Sequence, residues 1–318
     1  MSTIIEIKDL TKKYGKRTAV NHLNLNVNAG EIFGFVGPNG AGKTTTMRIL
    51  ATLLRANSGE AVIAGHSVKK SPRGVRGAIG YMPDAFGIYH DMRVWEYLDF
   101  FGACYQLRET ERKRLVNDLL ELVDMTPRRD DMVDKLSRGL QQRLGLARTL
   151  IHDPQVLILD EPASGLDPRA RVEIRELLVE LARMGKTVFF STHILADVAE
   201  ICTRVGIIEG GQIVALGTLD ELQRGLAAQR AVHIVVLDQA AAAQEFLSAL
   251  PGVSGVETPA EQTPQTRTRL EVKFTGDDTA LSAMLTGLAA RHVPVVHFSE
   301  DSQNLEDIFM QLTKSSLE

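Results

Sequence analysis

The 318-residue chain predicts an α/β fold followed by a smaller α+β unit, and three observations carry that prediction. Apolar runs such as Ile32 to Val36, Val156-Leu157-Ile158-Leu159 and Val188-Phe189-Phe190 alternate with helical stretches through about residue 217, as expected of a parallel sheet covered on both faces. The stretch from about residue 85 to 150, most clearly Val94 to Leu150, is helical with few strand signals and reads as an inserted helical subdomain. From about Arg230 the order becomes strand, helix, two strands, helix, strand, which is the β-α-β-β-α-β order of a ferredoxin-like unit. The expected domains are therefore 1–226 and 230–318.

Taken in order, the first element with chemical content follows the strand Ile32 to Val36. Gly37-Pro38-Asn39-Gly40-Ala41-Gly42-Lys43-Thr44-Thr45 completes the pattern G-x-x-x-x-G-K-[ST], with a helical stretch expected over Thr44 to Leu54. Glycines let successive backbone N–H groups turn inward to phosphate oxygens, and the helix that follows adds its unpaired amides and dipole. Lys43 is placed to reach the β- and γ-phosphates of a nucleotide, and the Thr44 hydroxyl to take a position on Mg²⁺. Further on, Val156-Leu157-Ile158-Leu159 ends in Asp160-Glu161. Buried acids at a strand end require a cation or partner. Asp160 is expected to hold Mg²⁺ through water, and Glu161 to act as general base on the attacking water.

Gly210-Gly211 between two apolar runs reads as a two-residue hairpin turn, and Thr218 as the N-cap of a helix through Leu226. The second unit is expected as strand Ala231–Leu237, helix Ala240–Leu250, strands Ser254–Thr258 and Thr268–Phe274, helix Ala280–Arg291 and strand Val293–Phe298. A closing helix, Asn304 to Lys314, carries Leu305, Ile308, Phe309 and Leu312 on one apolar face, read as packing.

Composition narrows the class. A hydrophobic fraction of 44% suits a globular chain with a real core. Cys104 and Cys202 are far apart and form no C-x-x-C, which points to a reducing cytosol. The amino terminus shows no signal peptide, and no window approaches the ~18 consecutive apolar residues of a membrane span. Residues 1–230 hold 31 Lys+Arg against 28 Asp+Glu, a balance of +3, and residues 231–318 hold 5 against 12, a balance of −7. An acidic second unit argues against nucleic acid as the partner, since phosphate backbones select clustered cations.

Between the phosphate loop and the acidic pair lies Leu136-Ser137-Arg138-Gly139-Leu140-Gln141-Gln142-Arg143. With this element the chain resembles the ATP-binding subunit of an ABC transporter over residues 1 to about 226, including Tyr14, Ser164-Gly165-Leu166-Asp167 and Ser191-Thr192-His193. The resemblance implies a RecA-like phosphate-loop ATPase core with an antiparallel β subdomain and the helical insertion. It also implies that Tyr14 stacks on adenine, that His193 contacts the γ-phosphate, and that Ser137 and Gly139 act in trans on the nucleotide of a second chain. Lys43, Thr44, Asp160, Glu161 and His193 then act in cis, with Asp167 counted among the nucleotide-site residues. ATP and Mg²⁺ are the implied ligands, a head-to-tail homodimer the implied assembly, and separate transmembrane permease subunits the implied partners. Such a subunit sits on the inner face of the cell membrane through its permease and does not touch the transported substrate.

The chain departs from the family's common Leu-Ser-Gly-Gly-Gln at Arg138 and Leu140, with Gln141 a candidate substitute for the missing glutamine. Asp84 stands where relatives usually have glutamine, in the nucleotide site; an aspartate there can ligate Mg²⁺, and its negative charge near the γ-phosphate changes the local electrostatics. The run Asp84 to Asp91 is expected at the permease groove, where Phe86, Ile88 and Tyr89 need a covering partner. The second unit, ending in Leu305-Glu306-Asp307-Ile308-Phe309-Met310-Gln311-Leu312-Thr313, resembles the tails of bacterial exporters of drugs, sodium, polysaccharides or gliding-motility components, and dimer stabilisation is its expected role. The alternative reading is a nucleotide-bound scaffold with weak turnover, motivated by Leu140 and Asp84.

Overall fold

Ile32–Val36, Val156–Asp160 and Thr187–Thr192 are buried at every residue, which puts them in the middle of a sheet with a layer on each side. The computed structural model describes residues 2–84, 87, 89, 91–226, 230–258 and 267–301. It divides into two units, Met1–Leu219 and Asp220–Glu318.

The first unit runs β1 (Thr3–Tyr14), β2 (Arg17–Asn28), β3 (Ile32–Val36), α1 (Lys43–Leu50), β4 (Ser58–Ile63), β5 (His66–Ser67), α2 (Pro72–Ala78) and β6 (Ile79–Met82). The helical insertion follows as α3 (Val94–Cys104), α4 (Glu109–Leu122) and α5 (Arg138–Thr149). The chain then returns through β7 (Val156–Asp160), α6 (Pro168–Arg183), β8 (Thr187–Thr192), α7 (Leu195–Ile201), β9 (Arg204–Glu209) and β10 (Gln212–Gly217), and α8 (Leu219–Leu226) crosses the boundary into the second unit. Strands β10-β9-β3-β8-β7-β6 form one sheet, parallel except for β10 at the edge. Strands β2-β1-β4-β5 form a second, antiparallel sheet. Ile5, Ile7 and Leu23 of that sheet join Phe33, Phe35, Met47 and Phe189 in one buried cluster. The antiparallel layer thus holds β3 and α1, and with them the loop between.

The Gly210-Gly211 turn has φ of 54° and 83°, the double left-handed conformation that matches strand twist, and joins β9 to β10 with Gln212 opposite Glu209. Helix α1 ends at Leu50, four residues before the expected Leu54. Thr52 takes φ 63°, the Leu53 amide donates to the Arg48 carbonyl at 2.9 Å and the Thr52 amide to Ile49 at 3.0 Å, a Schellman stop built without glycine.

The second unit contains β11 (Arg230–Val236), α9 (Ala240–Ser248), β12 (Val253–Glu257), β13 (Thr268–Phe274), α10 (Asp278–Ala290) and β14 (Val295–Asp301). The sheet order β12-β13-β11-β14, antiparallel throughout, is ferredoxin-like. Val232, Ile234, Leu270 and Val272 pack under Leu247 of α9 and Met284 and Leu288 of α10. Strand β14 starts two residues later than expected, because His292 at φ 58° turns the chain first. The expected closing helix, Asn304 to Lys314, lies outside the described residues. Asp277 caps α10, its Oδ1 accepting from the Ala280 amide at 2.9 Å. Asp277→Ala is expected to cost this unit about 1 kcal/mol, read as faster amide exchange in the first turn of α10.

Candidate nucleotide site

The loop that closes β3 owes its path to one strained residue. Gly42 is the N-cap of α1 at φ 114°, and a side chain there would run into the Ala19 carbonyl. Lys43 is 5% exposed, and its Nζ donates to the Gly37 carbonyl at 2.5 Å and the Pro38 carbonyl at 3.3 Å. The same ammonium lies 3.5 Å from Glu161 Oε1. The Ala41 amide donates to Pro38 at 3.2 Å, which places Gly37 and Ala41 behind the loop surface rather than on it.

Two hydroxyls converge on the carboxylate at the end of β7. Thr44 Oγ1 donates to Asp160 Oδ1 at 3.2 Å, and Ser191 Oγ donates to the same oxygen at 2.7 Å. Asp160 is buried, and burial pushes its carboxyl above the usual carboxylate range, against the pull of those two hydrogen bonds. The charges of Asp84 and Glu161 push it further in the same direction. Glu161 sits at φ 52°, its amide donating to Ser191 Oγ at 3.0 Å and its Oε2 standing 2.9 Å from His193 Nδ1. Ser191 therefore holds the Asp160 carboxylate and the backbone of Glu161, a role the sequence motif did not reveal.

Lys43, Thr44, Glu161 and His193 line one open cleft of about 550 Å³, and Asp160 and Ser191 are buried and do not line it. Pro38, Asn39, Gly40, Gly42, Thr44 and Thr45 form its floor, while Asp84 and His193 stand at its walls. At the far end Tyr14 is 49% exposed, with Lys12 Nζ 5.3 Å from its ring centroid. Beside it is Arg17, which sequence reasoning missed; its Nη2 donates to the Gly40 carbonyl at 3.3 Å, from the strand that follows Tyr14. The signal available was only a basic residue three places after the tyrosine.

Ser137, Gly139 and Asp167 are not in this cleft. They line a second one of the same volume, about 550 Å³, with Arg138, Leu140 and Gly165. Ser137 caps α5, its Oγ 3.5 Å from the Leu140 amide, and Asp167 caps α6, accepting from the Ala170 amide at 3.3 Å. Gln141 does not line this cleft, and its Nε2 donates to the Leu136 carbonyl at 3.1 Å.

The donors near the phosphate loop are hard oxygens, Thr44 Oγ1 and the carboxylates of Asp160 and Asp84, which suit Mg²⁺. Among the described residues no group of three or more His, Cys, Asp or Glu side chains is placed to hold a metal ion.

Residues 20–164 match the ABC transporter family model, and residues 217–313 match the model described as ATP-binding protein DrrA1-3-like, C-terminal domain. The chain is 29% identical over 314 residues to the linearmycin resistance ATP-binding protein LnrL of Bacillus subtilis, covering 99% of each. It is 33% identical over 309 residues to the daunorubicin resistance ATP-binding protein DrrA2 of Streptomyces coeruleorubidus, covering 97% of this chain and 94% of that one. A solved dimeric ATP-binding cassette in a post-hydrolysis state, bound to ADP and phosphate, matches with a TM-score of 0.62 at 26% identity, over 68% of this chain and 99% of that one. The parallel sheet, the phosphate loop and the paired carboxylates are those of an ATPase, and the chain belongs to the ABC transporter family as an ATP-binding subunit with a DrrA-like C-terminal domain.

Proposed function

We propose that this chain is the energy-coupling ATPase of a drug exporter, working as a head-to-tail homodimer on separate permease subunits at the cytoplasmic face of the membrane. One observation carries the composite site: the signature residues Ser137 and Gly139 open on a different cleft from Lys43 and Glu161. They reach a nucleotide only if a second chain brings it. Inside the chain, a methyl group on Gly139 would meet only Ala170 Cβ, at an ordinary 3.5 Å. The small residue therefore answers a need from outside the chain.

In this reading Lys43 and the loop amides hold the β- and γ-phosphates, and Tyr14 stacks on adenine. Thr44, Asp160 and Asp84 hold Mg²⁺, which when bound neutralises charge between the phosphates. The Glu161 carboxylate accepts one proton from the attacking water, and His193, paired to Glu161 through Nδ1, turns its other ring nitrogen to the γ-phosphate. Ser137 and Gly139 of the partner subunit close the site against bulk water.

The groove for the permease is supported by an aromatic cluster: Tyr89 lies 6.1 Å from Tyr97 and 5.6 Å from Phe100, ring to ring, and Tyr89 and Phe100 are 48% and 39% exposed. Phe86 and Ile88 fall outside the described residues. Among the described residues no helix is long and apolar enough to cross a membrane. The export of drugs rests on likeness along nearly the whole chain to two resistance proteins, and the DrrA-like unit is assigned to dimer stabilisation.

The test is specific ATPase activity against protein concentration: a steep rise is expected, and activity independent of concentration down to the nanomolar range would contradict the dimer. Tyr14→Ala is expected to weaken ATP binding by about 1–3 kcal/mol, and Arg17→Ala by about 1 kcal/mol, each measured as Kd on the isolated chain.

A further inference from the structure

Arg138, one of the two residues that break the family's common signature, makes a contact of its own. Gly165 sits at φ +68°, and a Cβ built on it would stand 2.5 Å from both Cζ and Nη1 of Arg138. The guanidinium therefore lies against the bare backbone of Gly165, whose left-handed φ favours glycine at this position.

That turn connects the two clefts. Ser164 lines the nucleotide cleft and its amide donates to the Glu161 carbonyl at 3.0 Å, whereas Gly165, Leu166 and Asp167 line the signature cleft. Further along α5, Arg143 is clamped to α6 through Glu173 at 2.6 Å and to the insertion through the Val123 carbonyl at 3.0 Å. The base of α5 is thus fixed, and its first turn rests on the 164–167 turn through Arg138.

We propose that Arg138 is a positioning residue that couples the two ATP sites of the dimer. The signature turn senses the partner's nucleotide, Arg138 carries that displacement to Gly165, and the 164–167 turn sets Glu161 in its own cleft. This rests on the head-to-tail reading above. Arg138 acts by shape, through a planar group against that bare backbone, so its charge alone does not suffice.

The experiment measures kcat, KM and the Hill coefficient for ATP hydrolysis in full-length Arg138→Ala, Arg138→Lys, Gly165→Ala and the double variant Arg138→Ala/Gly165→Ala. The expected result is a loss of about tenfold in kcat for each single change, with the Hill coefficient falling toward one and ATP affinity of the monomer unchanged. The double variant is expected to be no worse than Gly165→Ala alone, because the left-handed backbone strain at position 165 is common to both and the contact with Arg138 is already lost. Full activity in Arg138→Lys would show a role for charge alone and overturn the proposal, as would additive losses or a wild-type Hill coefficient in Arg138→Ala. The same substitutions in a Glu161→Gln background are followed by sizing in ATP. A dimer with altered kinetics supports Arg138, a dimer with unaltered kinetics removes Arg138 alone, and the absence of a dimer in Glu161→Gln itself removes the head-to-tail reading and this one with it.

Discussion

Replacing Glu161 by glutamine is expected to lower ATP turnover by about 10²–10⁴-fold, or about 3–5 kcal/mol of barrier, without weakening ATP binding. Glutamine keeps the length of the side chain, and its amide oxygen can still accept from His193, now 2.9 Å from Glu161 Oε2. It cannot take up a proton. The backbone at φ 52° is equally strained with either side chain, so the fold should not register the change. Removing one charge beside Asp160 and Asp84 also relieves the repulsion that raises the Asp160 carboxyl. Phosphate release and equilibrium ATP binding, measured together, check both halves. Turnover close to wild type would support the scaffold reading or move the base elsewhere.

Lys43→Ala is the second large effect, and it acts on binding. The lysine holds two loop carbonyls and faces Glu161 at 3.5 Å, so its ammonium already stands where phosphate oxygens are expected. Two charge-assisted hydrogen bonds to phosphate contribute about 3–5 kcal/mol, so the Kd for ATP should rise by about 10²–10⁴-fold. Glu161, 12% exposed at its side chain, also loses its cation. Calorimetric titration with ATP checks the first effect, and an unchanged Kd would remove Lys43 from phosphate binding. Thermal unfolding of the nucleotide-free variant reads the second, with a lower Tm expected.

The parts of the molecule that follow from local pattern were visible in the sequence. Runs apolar at every position gave β3, β7 and β8, the glycine pair gave the β9–β10 hairpin, and the β-α-β-β-α-β order gave the second unit. What stayed hidden depends on contacts between distant residues or on residues doing an unusual job. Thr52 ends α1 where glycine is the usual signal. Thr44 on α1 meets Asp160 on β7 across 116 positions, and Ser191 reaches the same carboxylate from β8, so no local spacing could assign that serine its role. Arg17 becomes a wall of the cleft only because β2 runs back past the phosphate loop. Gln141 read as a substitute for a missing glutamine because sequence distance ignores direction; on α5 it turns toward Leu136 instead.

The composite site is tested most directly by sizing the Glu161→Gln protein in ATP and Mg²⁺, with and without Ser137→Arg in the same chain. Glu161→Gln alone is expected to run as a dimer holding two ATP molecules, and the added arginine, in a cleft separate from that chain's own nucleotide, to return it to a monomer that still binds ATP. A monomer in the first case, or a dimer indifferent to Ser137 in the second, would contradict the head-to-tail arrangement.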